Sequence, residues 1–207
     1  MTELNRFDGI STWYDWLARA FSGNTILKSQ LSLLERIPPR SRVLILGGGT
    51  GEILPYLFHE VKGIEVWFVD ASSAMINRAR SRVSSSDKIH FIHGTQNDIP
   101  SSATFDVVMT CFFLDLFGTC ELKDVISKIQ EHLGSRGKLL VADFVSETFW
   151  HRWLLKMLYG FFLLATRLKN TSLPDWENIL VEEGFIPETE KRYYGGFVKS
   201  ASYLRKQ

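Results

Sequence analysis

Cysteine is scarce in these 207 residues: only Cys111 and Cys120 are present, and neither stands in a metal-like cluster with histidine. A metal centre is therefore not expected. The opening Met1 to Arg6 lacks a basic-then-apolar signal segment, so the expected location is the cytoplasm. An excess of either charge is missing as well, since 24 Lys and Arg face 23 Asp and Glu. Without a basic stripe interleaved with aromatics, the electrostatic footprint of a polyanion ligand is absent and nucleic acid is not an expected partner. Nor is there a long uncharged apolar run. In the greasiest stretch, Phe149 to Arg167, Lys156 breaks the apolar run and leaves it shorter than the roughly 18 uncharged residues that a spanning helix needs. What remains is ordinary for one globular domain with a sizeable core, with 45% hydrophobic and 23% charged residues.

Against that background one stretch carries chemistry. In Val43-Leu44-Ile45-Leu46-Gly47-Gly48-Gly49-Thr50-Gly51-Glu52, four apolar residues break into glycines where a strand should hand over to a helix. Gly47 lets the chain turn off the strand, while Gly49 and Gly51 remove side chains between backbone and ligand. The helix is expected from Glu52 to about Val61. A dinucleotide fingerprint needs a glycine at position 52, and the glutamate there would compete with a pyrophosphate for the first helical amides. A nicotinamide dehydrogenase is thus the least favoured reading. A second apolar run, Val66 to Val69, ends in Asp70 about 20 residues past the glycines, where a carboxylate can accept both hydroxyls of a ribose. These features imply an adenosine-type ligand without phosphate.

The stretch resembles the first motif of the class I S-adenosylmethionine-dependent methyltransferases. Asp70-Ala71-Ser72-Ser73-Ala74-Met75 resembles their second motif and His93 to Pro100 their third. Phe105 to Val108 resembles the start of the fourth strand, and Leu133 to Leu140 the turn into the fifth. Ile45 and Thr95 stand where the family usually carries acids. The resemblance implies S-adenosyl-L-methionine as cofactor, held by Tyr14, Gly47, Gly48, Gly49, Gly51, Asp70, Ala71, Met75, Thr95, Gln96 and Thr110. It also implies an α/β, Rossmann-like, doubly wound sheet of seven mostly parallel strands, with an antiparallel C-terminal hairpin strand and an N-terminal helical cap.

Apolar runs at Val43 to Leu46, Val66 to Val69, Ile89 to Ile92, Val107 to Met109 and Leu139 to Ala142 alternate with helical patterns, as βα units do. Leu122, Val125, Ile126, Ile129 and Leu133 fall on one helical face, and Gly134 reads as the stop. Pro174 opens a further helix that Gly184 closes. Lys191 to Tyr194 and Phe197 to Leu204 flank Gly195-Gly196 as a hairpin. The expected layout is one domain: a cap over 1–38, a cofactor core over 39–145, a helical insert over 146–172, and a final helix and hairpin over 173–207.

Substrate identity should lie in the aromatic flanks. The arm Phe7 to Leu17 resembles the Tyr-Asp-bearing arm of quinone-biosynthesis and related small-molecule methyltransferases, which would bring Tyr14 over the cofactor; a plain cap helix is the alternative. For the insert three readings stay open: a lid over an apolar pocket, a face on a membrane surface, or a core helix. The expected activity is methyl transfer to a small, apolar or amphipathic acceptor. Asp115, Asp143, His151 and Tyr159 are the candidate bases, each with a purely structural alternative. The rival readings are a non-catalytic cofactor- or partner-binding module and an aminopropyltransferase-like enzyme, whose glycine turn is similar.

Overall fold

The computed structural model describes residues 24–145 and 174–206. In chain order these form α1 (Asn24–Leu34), β1 (Arg42–Leu46), α2 (Leu54–Glu60), β2 (Glu65–Asp70), α3 (Ser73–Arg80), β3 (Ile89–His93), β4 (Phe105–Cys111), α4 (Thr119–His132), β5 (Leu133–Phe144), α5 (Trp176–Glu182), β6 (Phe185–Tyr193) and β7 (Val198–Arg205). The strands make one sheet in the order β3-β2-β1-β4-β5-β7-β6. The first five run parallel, and β7 lies antiparallel between β5 and β6.

The apolar runs become central strands because both sheet faces are covered. Val43 and Ile45 point into a cluster with Leu33, Leu57 and Ile76 from α1, α2 and α3. Leu44 and Leu46 point the other way, toward Leu122 and Ile126 of α4 and Trp176 of α5. Each such fully buried side chain contributes about 1.5–3 kcal/mol. On α4 the expected face, Leu122, Val125, Ile126 and Ile129, is the buried one. Its start is fixed by Glu121, whose carboxylate accepts the Gly118 amide at 3.1 Å.

Three boundaries differ from expectation. The helix after the glycine turn begins at Leu54, not Glu52, with Pro55 in its first turn. Glu52 is exposed and reaches toward Arg82 at 3.9 Å, so it does not occupy the helix's amides. Gly134 is not a helix stop: α4 ends at His132, and Leu133 already pairs with Phe105 in the sheet. The strand β6 starts at Phe185 rather than Lys191. Its side chains are mostly exposed and its pairing slips between Pro187 and Thr189, which removes the apolar alternation that marks a strand.

Lys199 of β7 anchors this edge. Its buried ammonium binds Glu177 of α5 and, at 2.5 Å, Glu190 of β6. Burial alone would lower its pKa, but the two carboxylates outweigh that and raise it. Among the described residues no helix is long and apolar enough to cross a membrane. The arm around Tyr14 and the insert carrying His151 and Tyr159 lie outside the described residues.

Candidate cofactor site

β1 and β4 are neighbours at the centre of the sheet, and the strands added after each extend toward opposite edges. The carboxyl ends of such a pair form the switch point at which doubly wound sheets bind ligands. Gly47 to Gly51 leave β1 there, Asp70 ends β2, Thr95 and Gln96 follow β3, and Phe112 to Leu116 leave β4.

Asp70 is half-buried and tied on both sides. Its Oδ2 accepts the Gly49 amide at 2.8 Å and its Oδ1 the Ser72 amide at 2.9 Å. Burial raises its pKa, opposed by those two amides and by His93. A carboxylate oxygen has two acceptor positions, so after both amides are satisfied one remains on each oxygen for a pair of hydroxyls. Ser72 caps α3 by accepting the Met75 amide at 3.3 Å, which fixes the bend that carries Ala71 and Met75; the Met75 side chain itself is buried.

The glycine turn is pinned to β2, with the Gly47 and Gly48 amides donating to the Val69 carbonyl at 3.0 and 3.3 Å. Gly47 has a φ of 63°, and a Cβ there would lie 2.3 Å from the Phe113 ring. At Gly48 a Cβ would lie 2.2 Å from the Phe68 ring, and at Gly51 2.8 Å from Ala79 and Leu54. The space expected to be cleared for ligand at Gly51 is thus filled by α2 and α3. Three of the turn's glycines let the protein close on itself, and the Gly49 amide is the one that reaches the acid.

After β3, Thr95 has its hydroxyl engaged: it donates to Asp98 Oδ2 at 3.1 Å and accepts from the Asn97 amide at 3.3 Å. Asp98 also accepts the Thr95 amide at 2.7 Å. The sequence points to Thr95 alone, yet the Thr-x-x-Asp spacing that marks a capping box is the signal that brings in Asp98. On β4, Thr110 is fully buried between Leu46 and Val141, and among the described residues its hydroxyl finds no hydrogen-bond partner. Such an orphan costs about 1–3 kcal/mol unless a ligand meets it. Asp70's spare acceptor positions and this hydroxyl are the features of the chain's own residues that fit a polar nucleoside.

The two acids at the ends of β4 and β5 are deep. Asp143 is fully buried and accepts the amides of Phe113 at 3.2 Å, Leu114 at 2.9 Å and Phe144 at 2.8 Å. Asp115 is buried beside it and hydrogen-bonds to it. Burial pushes Asp143 up to about 6 and Asp115 well above the usual carboxylate range. Phe113, which the sequence reading did not select, stays half-buried, edge-on to Phe117 with ring centres 5.0 Å apart. Nothing local in the sequence marks its meeting with Gly47.

Comparison with known proteins places this geometry. Residues 43–137 match the family described as a methyltransferase domain. A putative methyltransferase of Bacillus subtilis, YqeM, is 38% identical over 76 residues, covering 36% of this chain and 30% of that protein. An uncharacterized methyltransferase of Staphylococcus carnosus is 32% identical over 107 residues, or 52% of this chain and 49% of the other. The chain thus spans less than half the length of these relatives. In fold it is similar to the 1,6-didemethyltoxoflavin-N1-methyltransferase of Burkholderia thailandensis, with a TM-score of 0.71 at 16% identity over 99% of this chain and 88% of that one.

Proposed function

We propose, from the premise that residues 43–137 are a methyltransferase domain on a class I fold, that this chain moves the methyl group of S-adenosylmethionine to a small, apolar or amphipathic acceptor. The observation that carries the reading is Asp70, delivered by β2 to the glycine turn and hydrogen-bonded to Gly49 with acceptor capacity to spare. In the Burkholderia relative, S-adenosylhomocysteine and 1,6-didemethyltoxoflavin are bound together.

S-adenosylmethionine brings a methyl group already activated by its sulfonium. The task left to the chain is alignment and exclusion of water, which can lower a barrier by roughly 7–11 kcal/mol. Asp70 would hold the ribose hydroxyls, the Gly47 to Gly51 backbone would line the nucleoside, and Thr110 offers a buried hydroxyl beside them. Ala71, Met75, Thr95 and Gln96 complete the candidate set along β2 and β3. The half-buried rings of Phe113 and Phe117 suit an apolar acceptor next to the turn. Alignment of this kind needs no strong base. Asp115 and Asp143 are buried and already hydrogen-bonded, so a structural task suits them better than proton abstraction.

Titration calorimetry with S-adenosylhomocysteine tests the cofactor reading, and a labelled-methyl assay over apolar and amphipathic acceptors tests turnover. Heat of binding with methyl incorporation is the expected result. No binding by the intact protein overturns the reading, and binding without turnover across the panel favours a non-catalytic module.

A further inference from the structure

We propose that Asp143 and Asp115 form a hydrogen-sharing clasp that positions the Phe113 ring against the glycine turn, holding the cofactor site in shape from β5. In its binding consequence this rests on the function proposed above; in its geometry it does not.

Asp143 collects the amides of Phe113, Leu114 and Phe144, and the Asp115 amide also bonds to it. Successive amides from 113 to 115 therefore wrap one carboxylate, an arrangement that stabilises its ionised form. The Asp115 carboxyl lies against the same group. Two buried carboxylates in contact do not both carry charge, so one proton stays between them. Asp143, with its amides, is the better anion, and Asp115 is the donor.

Lys199 is the cross-strand partner of Asp143, yet its ammonium binds Glu177 and Glu190 instead. Cys111, at the end of β4, is held as a neutral thiol by burial and by Asp143. The turn the clasp holds has an unusual shape: Phe112 sits at a φ of 52°, with its ring 4.9 Å from that of Phe144. That winding sends Phe113 toward Gly47, where only a bare Cα leaves room for the ring. Asp143 thus acts on the site through Phe113. It is a positioning residue, and the proton on Asp115 keeps the pair singly charged.

The test compares wild type with Asp115→Asn and Asp115→Ala, reading amide hydrogen-exchange protection at Phe113 and Leu114 together with S-adenosylhomocysteine affinity. Asn keeps a hydrogen to donate and cannot ionise. Asp115→Asn is expected to hold both readouts within about twofold of wild type, whereas Asp115→Ala loses protection at both amides and at least about fivefold in affinity, the lower end of ordinary coupling between sites. Raising pH from 6 to 10 should lower wild-type protection, after correction for intrinsic exchange, more than that of Asp115→Asn. An Asn variant that loses protection overturns the clasp, a result that stands even if Asp115→Ala fails to fold. If no form binds S-adenosylhomocysteine, the cofactor reading falls, while amide protection still decides the clasp.

Discussion

The Gly49 amide and the Asp70 carboxylate are joined at 2.8 Å across the β1 and β2 ends, so the acid proposed to hold the ribose also fastens the glycine turn. Asp70→Ala removes both roles. A hydrogen bond to a charged group contributes about 1.5–3 kcal/mol, so the variant should lower stability within that range. Affinity for S-adenosylhomocysteine should fall at least about tenfold, equivalent to about 1.4 kcal/mol. Asp70→Asn should retain more stability than affinity, because an amide oxygen still accepts one amide hydrogen. Calorimetry and thermal melts read the two effects separately, and unchanged affinity would remove Asp70 from the site.

Gly48 is bare because Phe68 fills its side-chain space, with 2.2 Å to a would-be Cβ. Gly48→Ala should therefore cost about 1–3 kcal/mol by overpacking. Combining it with Phe68→Leu should cost less than the sum of the two single changes, a coupling that a double-mutant cycle measures by denaturant unfolding.

At Phe112 the left-handed φ of 52° reverses the usual ranking of small residues. Left-handed backbone costs a non-glycine residue about 1–2 kcal/mol. Both small variants lose the ring contact with Phe144, so Phe112→Gly should be more stable than Phe112→Ala by about 1 kcal/mol. Equal melts would contradict the backbone argument.

The Asp115–Asp143 pair gives stability a pH dependence with a definite sign. Both folded pKa values lie above the ordinary carboxylate range, Asp143 pushed up to about 6 and Asp115 also raised, each chiefly by burial. The folded state therefore binds more protons than the unfolded one above the unfolded pKa. The pair's contribution is fully present below about pH 4 and is lost as pH rises through 6 and beyond. Glu188 and Glu190, lowered by Lys138 and Lys199, act in the opposite sense but are mainly exposed, and solvent screens them. Melts from pH 5 to 9 should show Asp115→Asn declining less steeply than wild type.

Lys199 should prove more sensitive than its partners. Its ammonium is nearly inaccessible, while the Glu190 side chain is 51% exposed and that of Glu177 27%. Lys199→Met should destabilise more than Glu177→Gln, and Glu177→Gln more than Glu190→Gln, because water replaces the exposed partner most readily. Urea midpoints check the order.

The parts of this molecule legible in its sequence are those written by local pattern. The apolar runs of β1, β2 and β4, the α4 face and the glycine break each depend on residues a few positions apart. Strand β6 was partly hidden because an exposed edge strand has no apolar face to display. The meeting of Asp70 with the glycine turn is readable from spacing, whereas the Phe113–Gly47 and Asp115–Asp143 contacts join separate strand ends. Only folding creates such pairs. The purpose of the glycines is likewise only partly legible, because a missing side chain in sequence does not say whether ligand or protein fills the gap.

The antiparallel β7, slotted between β5 and β6, has a consequence for biogenesis. Until Val198 to Arg205 leave the ribosome, the nascent chain presents β5 with one flank unsatisfied, because the neighbour that seals it comes after every other described strand in the chain. A polypeptide stalled or clipped ahead of Val198 would keep that flank open and recruit other chains to it, making chaperone dependence most acute until β7 has emerged.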